Sequence, residues 1–313
     1  ILGLAPQALC LRLLRRLSRS RKTQMDLSIL YRGPLSSCNY GCEYCPFAKH
    51  AETLSEHKAD ERSLNRFVSW VSSRNSDNIY VLFTPWGEAL IRKRYQHALV
   101  RLTNMPQVRK AVIQTNLSCS LSWVDDCDKA KLALWTTFHP TEVSRARFVA
   151  RCLDLQQRGV RFSVGVVGLK EHAGEIKALR SELPASVYLW INAYKRNPDY
   201  YSTEDIERFA AIDALFPINN QNHPSLGRAC RCGESVISVY GDGSIRRCHF
   251  IQQTIGNIYH DDLSTVLRAR PCINDTCGCH IGYVHMDHLK LYQIYGDGVL
   301  ERIPLELGIR SIR

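Results

Sequence analysis

The sequence lacks what would place it in a membrane or outside the cell. Nowhere in its 313 residues is there an uncharged apolar run of about 18, so no transmembrane helix is expected. No secretory signal peptide is evident, and its thirteen cysteines are clustered, which argues against a disulfide scaffold. A reducing, cytoplasmic setting is therefore expected. Internal repeats and low-complexity segments are missing too. Acidic residues are absent from residues 1–24, which carry Arg12, Arg15, Arg16, Arg19, Arg21 and Lys22. These six account for over half of the net charge of +11 and leave +5 for the remainder. No basic stripe with interleaved aromatics occurs elsewhere, so a nucleic-acid partner is not expected. The leader reads as sequence upstream of a natural start at Met25, or else as an amphipathic targeting or membrane-surface helix. The first reading is favoured because Met25 directly precedes a strand.

What is present is an alternation of short β-rich runs and helix-period segments. Strands are predicted at Leu27–Arg32, Ile79–Thr84, Ala111–Asn116, Leu132–Phe138, Arg161–Leu169 and Val187–Ala193. Helices are predicted at 62–73, 94–103, 145–159 and 172–183. The pattern predicts an α/β fold: a parallel sheet of six βα units, too few for a closed eight-fold barrel, hence an open (β/α)6 partial TIM-type barrel. After Tyr200 the pattern changes. Residues 236–250 predict a hairpin turning at Gly241-Asp242-Gly243. A boundary between Asn219 and Gly227 separates a barrel of 25–219 from a small cysteine-rich domain of 220–313.

Chemistry in such a barrel gathers at the C-terminal strand ends. There the first strand runs into Cys38, Cys42 and Cys45, and the second into Pro85-Trp86-Gly87-Glu88. The third ends at Thr115-Asn116, the fourth before His139, and the fifth near Gly168 and Glu171. Three thiols are one short of a closed zinc site and one short of the usual four-thiolate iron–sulfur cluster. The open alternatives are a zinc site completed from a distance and a cluster with one iron left free.

The C-x3-C-x2-C spacing, with Tyr44 before the last cysteine, resembles the motif of the radical SAM superfamily. Residues 85–88 are similar to that family's glycine-rich Glu motif, with Trp86 where a glycine is commoner. The resemblance implies a [4Fe-4S] cluster on Cys38, Cys42 and Cys45, whose fourth iron binds S-adenosyl-L-methionine. It implies cofactor contacts from Tyr44, Gly87, Glu88, Thr115, Asn116 and Gly168, and a reductant such as a flavodoxin or ferredoxin. The implied activity is reductive cleavage of the sulfonium to a 5′-deoxyadenosyl radical that abstracts hydrogen from a substrate.

A second group, Cys230, Cys232, Cys248, Cys272, Cys277 and Cys279, resembles the SPASM or twitch appendage of many such enzymes. Gly243-x4-Cys248 fits its signature. Six cysteines imply one auxiliary [4Fe-4S] cluster, expected on Cys230, Cys248, Cys272 and one or both of Cys277 and Cys279, with Cys232 as the spare thiol. A structural zinc knuckle is the alternative. His249, His280 and His285 are expected beside ligands or on the surface, and Cys10, Cys119, Cys127 and Cys152 as ordinary thiols. Arg246, Arg247, Lys195 and Arg196 are expected to give the cleft a positive lining, suited to a peptide or protein side chain or to a phosphorylated small molecule. The rival to the enzyme is a non-catalytic iron–sulfur electron carrier or a zinc-stapled binding protein.

Overall fold

The computed structural model describes residues 24–47 and 50–306. The basic leader through residue 23, with Cys10, lies outside the described residues. The six expected strands form: β1 (Asp26–Arg32), β2 (Asn78–Phe83), β3 (Val108–Thr115), β4 (Leu132–Phe138), β5 (Arg161–Val167) and β6 (Leu189–Asn192). They pair in parallel in chain order. The crossovers are α1 (Leu54–Ser72), α2 (Lys93–Thr103), α3 (Arg145–Gln157) and α4 (Ala173–Glu182), with only a 3-10 turn between β3 and β4. A further helix, α5 (Thr203–Ala210), follows β6. Helix α1 starts eight residues before its expected start. Its first turns are solvated and carry no apolar period. Thr53 and Glu56 fix the start through a reciprocal capping box.

The expected hairpin also forms, as β7 (Val236–Tyr240) and β8 (Ser244–Arg246), turning at Gly243 with φ +85°. It does not stand apart. β7 pairs in parallel with β1, and β8 continues to β9 (Thr254–Asn257), so one sheet runs β9-β8-β7-β1-β2-β3-β4-β5-β6. Hydrogen bonding is thus continuous across the point where composition changes.

Alternation along the strands sends side chains to two faces. Ile29, Val81, Ile113, Leu134 and Val164 pack outward under the helices. Leu30, Leu82, Val112, Trp135 and Trp190 point inward. Their partners are C-terminal residues: Tyr283, Leu291, Tyr295 and Leu300 fill the concave side. Glu301 anchors this segment to β3 and β5. Its carboxylate meets Lys110 Nζ at 2.6 Å and Arg161 Nε at 3.0 Å, and its carbonyl accepts from Ser163 Oγ at 2.6 Å. Burying Lys110 is tolerable because that carboxylate compensates it.

Candidate active site

The loop after β1 is held by neighbouring strand ends. Beyond β2, Glu88 N donates to Ser37 O at 3.1 Å. A Cβ on Gly87 would stand 1.8 Å from that same Ser37 oxygen, so only glycine lets this turn lie against the cysteine loop. Beyond β3, Asn116 Nδ2 donates to Asn39 Oδ1 at 3.1 Å. Beyond β4, Glu142 accepts from Gly41 N at 3.1 Å. Beyond β6, Arg196 donates to Tyr44 O at 2.7 Å. On its outer side Glu52 accepts from Ser36 N and Ser37 Oγ.

Cys38, Cys42 and Cys45 line one cavity of about 280 Å³ at the C-terminal end of the sheet. Gly87, Glu88, Thr115 and Asn116 line it too. Glu88 is 2% exposed and accepts three bonds: Thr115 Oγ1 at 2.9 Å, Asn116 N at 2.5 Å and Leu90 N at 3.0 Å. Burial raises its pKa to about 7, while these donors pull it the other way. Leu117, at φ +59°, forms the tight turn just after Asn116, an uncommon conformation for a branched residue. Trp86 turns outward, 41% exposed, and stacks on Phe47 at 6.0 Å. Its bulk therefore faces the cavity rim and leaves Gly87 free to meet the loop.

Two expected contacts stand beside this wall. Tyr44 Oη and His139 Nδ1 share a hydrogen bond at 2.7 Å, and Cys42 Sγ lies 3.3 Å from the same nitrogen. His139 lines the cavity, and burial lowers its pKa to about 4. Gly168 is fixed by its backbone, donating to Asn192 O at 2.9 Å and accepting from Tyr201 Oη at 2.6 Å. Val167 faces the cavity in its place. Glu171 lies outside, accepting from Tyr200 Oη at 3.1 Å.

The second cysteine group surrounds a separate, much smaller cavity of about 20 Å³. Cys230, Cys232, Cys248, Cys272 and Cys277 line it. Cys232 thus joins the group from which the sequence reading left it out. A bridge from Cys232 to Val236 ties it to the root of β7 and turns it inward. A thiol–thiol hydrogen bond from Cys232 lowers the pKa of Cys230 against the opposing effect of burial. Cys279 departs the other way. It lines the first cavity, next to His280 and Ile281, and its exposure is to that space. The reason is local: Cys277 pairs in the short ladder with His223, and the chain then turns at Gly278 before a helical turn at His280–Tyr283. Among the described residues, no three His, Cys, Asp or Glu side chains converge on a point that a single metal ion could occupy.

The expected positive lining is not the one found. Arg246 donates to Tyr240 Oη and Gln252, Lys195 to the carbonyls of Gln221 and Gly278, and Arg196 to Tyr44. Arg247 faces the five thiols; it is 4% exposed, and its Nε and Nη2 lack a partner. None of the four lines the first cavity. Arg302 does, with Trp135, Trp190 and His280, and no sequence signal marked it. His249 bonds Thr84 Oγ1 at 2.9 Å and His285 bonds Tyr292 Oη at 2.8 Å.

No family model and no curated protein matches this sequence. Solved structures do match. One is native anSMEcpe, an anaerobic sulfatase-maturating enzyme, with bound AdoMet: 16% identity, TM-score 0.52, covering 77% of this chain and 80% of that one. The same enzyme with AdoMet and a Kp18Cys peptide matches at 14% identity and TM-score 0.52, over the same shares of the two chains. Streptococcus suis SuiB bound to S-adenosylmethionine matches at 13% identity and TM-score 0.53, covering 85% of this chain and 72% of that one. The class is thus an α/β partial TIM-type barrel. More narrowly, it is the fold that these AdoMet-bound structures share.

Proposed function

We propose that this chain is a radical SAM enzyme that cleaves S-adenosylmethionine reductively and abstracts hydrogen from a substrate. One observation carries the reading: the three loop thiols, Glu88 and Asn116 line a single cavity at the strand ends. The donor set suits the implied group. The three loop thiols face an open space that Cys279 also lines, and Gly87 lets the turn after β2 lie against their loop. In this reading Cys38, Cys42 and Cys45 hold a [4Fe-4S] cluster. Bound there, the cluster supplies the electron that breaks the sulfonium C–S bond to give a 5′-deoxyadenosyl radical. Glu88 receives the methionine ammonium, and its three donors keep the carboxylate aimed. Thr115 and Asn116 position Glu88 and stand where ribose contacts arise. His139 and Tyr44 orient the Cys42 thiol from behind. Trp135, Trp190 and the C-terminal segment exclude water from below.

The five thiols of the second cavity support a second, auxiliary cluster in residues 220–313. Arg247, buried with two unpartnered nitrogens, suits the negative charge of a thiolate-held cluster. A reductant such as a flavodoxin or ferredoxin is required, and a reducing cytoplasm suits so many free thiols. No helix among the described residues is long and apolar enough to cross a membrane. A peptide substrate draws support from the peptide bound by one structural neighbour. Anaerobic incubation of reconstituted protein with S-adenosylmethionine and dithionite tests the reading. 5′-Deoxyadenosine, followed by mass spectrometry, should form. A colourless zinc protein that yields none would contradict it.

A further inference from the structure

The floor of the first cavity holds a buried cation with no salt bridge among the described residues; the Tyr295 hydroxyl bonds it, and Asp213 acts on it only at longer range. Arg302 is 1% exposed and is the only lysine or arginine in that lining among the described residues. It forms no ion pair among the described residues, and its Nε and Nη1 have no hydrogen-bond partner. Asp213 is the buried carboxylate whose charge reaches it, yet Asp213 is already engaged by Tyr188 Oη, Ile191 N and Leu215 N. The Trp190 ring lies 4.3 Å from the guanidinium carbon, and the Trp135 ring 5.8 Å. Stacking on indoles offsets part of the desolvation of the guanidinium, but supplies no acceptor for its N–H groups. Beside it, both ring nitrogens of His280 also lack partners. The backbone adopts φ +56° at Arg302, an uncommon conformation for a long side chain. The chain thus accepts both backbone strain and a buried guanidinium with two unpartnered nitrogens at one place in the cavity wall.

We infer that Arg302, with His280 and the faces of Trp135 and Trp190, forms a subsite for a carboxylate carried by the substrate. This deepens the enzyme reading and rests on it. A single permanent cation with a flat guanidinium between indole walls matches a planar monoanion. A phosphate dianion would call for further cations, and the lining has none. The cofactor's own carboxylate belongs elsewhere. Arg302 packs on Trp135, inside β4, whereas the thiol loop meets His139 beyond the end of that strand, so Arg302 lies on the deeper side of the cavity. The carboxylate comes either from an acidic side chain of a peptide or from a free carboxylic acid.

The test is binding to the reconstituted enzyme, with butyrate, uncharged butyramide and inorganic phosphate as probes. Butyrate should bind at least about tenfold more tightly than butyramide or phosphate, and Arg302→Met should abolish that preference while Arg302→Lys restores part of it. Equal binding of butyrate and butyramide, tighter binding of phosphate, a preference that survives in Arg302→Met, or displacement of butyrate by S-adenosylmethionine would each overturn the subsite. The wild-type contrast decides the matter even if Arg302→Met misfolds. Deuterium transfer into 5′-deoxyadenosine then separates the sources: labelled Asp or Glu peptides against labelled small carboxylic acids. Transfer from either supports the subsite, and transfer only from compounds lacking a carboxylate overturns it. Should no 5′-deoxyadenosine form at all, the enzyme reading fails, while the butyrate contrast still judges the subsite.

Discussion

The two thiol-lined cavities are built in opposite ways. The first takes three thiols from eight consecutive residues, with Cys279 joining its lining from the C-terminal part, and measures about 280 Å³. The second takes five thiols from a stretch running from Cys230 to Cys277 and measures about 20 Å³. The first is fixed by hydrogen bonds from the ends of β2, β3, β4 and β6, so its shape belongs to the barrel. The second is assembled by a two-residue ladder, isolated bridges and backbone bonds between loops, such as Gly227 N to Cys272 O at 2.8 Å.

The largest test of this contrast removes one site whole. Replacing Cys38, Cys42 and Cys45 together with Ala should bring 5′-deoxyadenosine formation to background and leave roughly half the iron, one cluster of two. Loss of all iron would mean that the sites are not independent.

Gly87→Ala probes the barrel's grip on the first loop. The new methyl meets the Ser37 carbonyl, so the loop must shift, at a cost of about 1–3 kcal/mol. Iron at the first site should fall, the melting temperature should drop, and the second site's iron should stay. A variant with unaltered iron and melting temperature would show that the loop is not fixed in the way described.

The smallest effect discriminates between two thiols. Cys232→Ala should lower iron at the second site, whereas Cys279→Ala should leave it unchanged. The reverse outcome would return Cys279 to the ligand set and release Cys232.

The same contrast explains what could be read in the sequence. The six strands and the thiol loop were legible because each is local: alternation over a few residues, or a fixed spacing of cysteines before one turn. Gly87 and Glu88 were legible as a motif, though not Gly87's closeness to Ser37, which joins loops some fifty residues apart. Which thiols share the second cavity was not legible, because a one-residue turn at Gly278 sends Cys277 and Cys279 into different cavities. Arg302 was invisible for the same reason: it carries no motif, and it reaches the cavity only because the C-terminal segment packs inside the sheet. The expected positive lining failed on geometry, since Lys195 and Arg196 turn to backbone carbonyls and Arg247 turns to the thiols. The start of α1 was present in the sequence as Thr53-x-x-Glu56, a signal that hydrophobic periodicity does not register.

The central claim is that only the barrel-held site meets the cofactor. Electron paramagnetic resonance of the anaerobically reduced protein tests it most directly, with spectra taken before and after addition of S-adenosylmethionine. Two iron–sulfur signals should be present. Addition should change only one of them, the one that disappears when Cys38, Cys42 and Cys45 are replaced. A signal that changes yet survives that replacement, or two signals that both ignore the cofactor, would contradict the account.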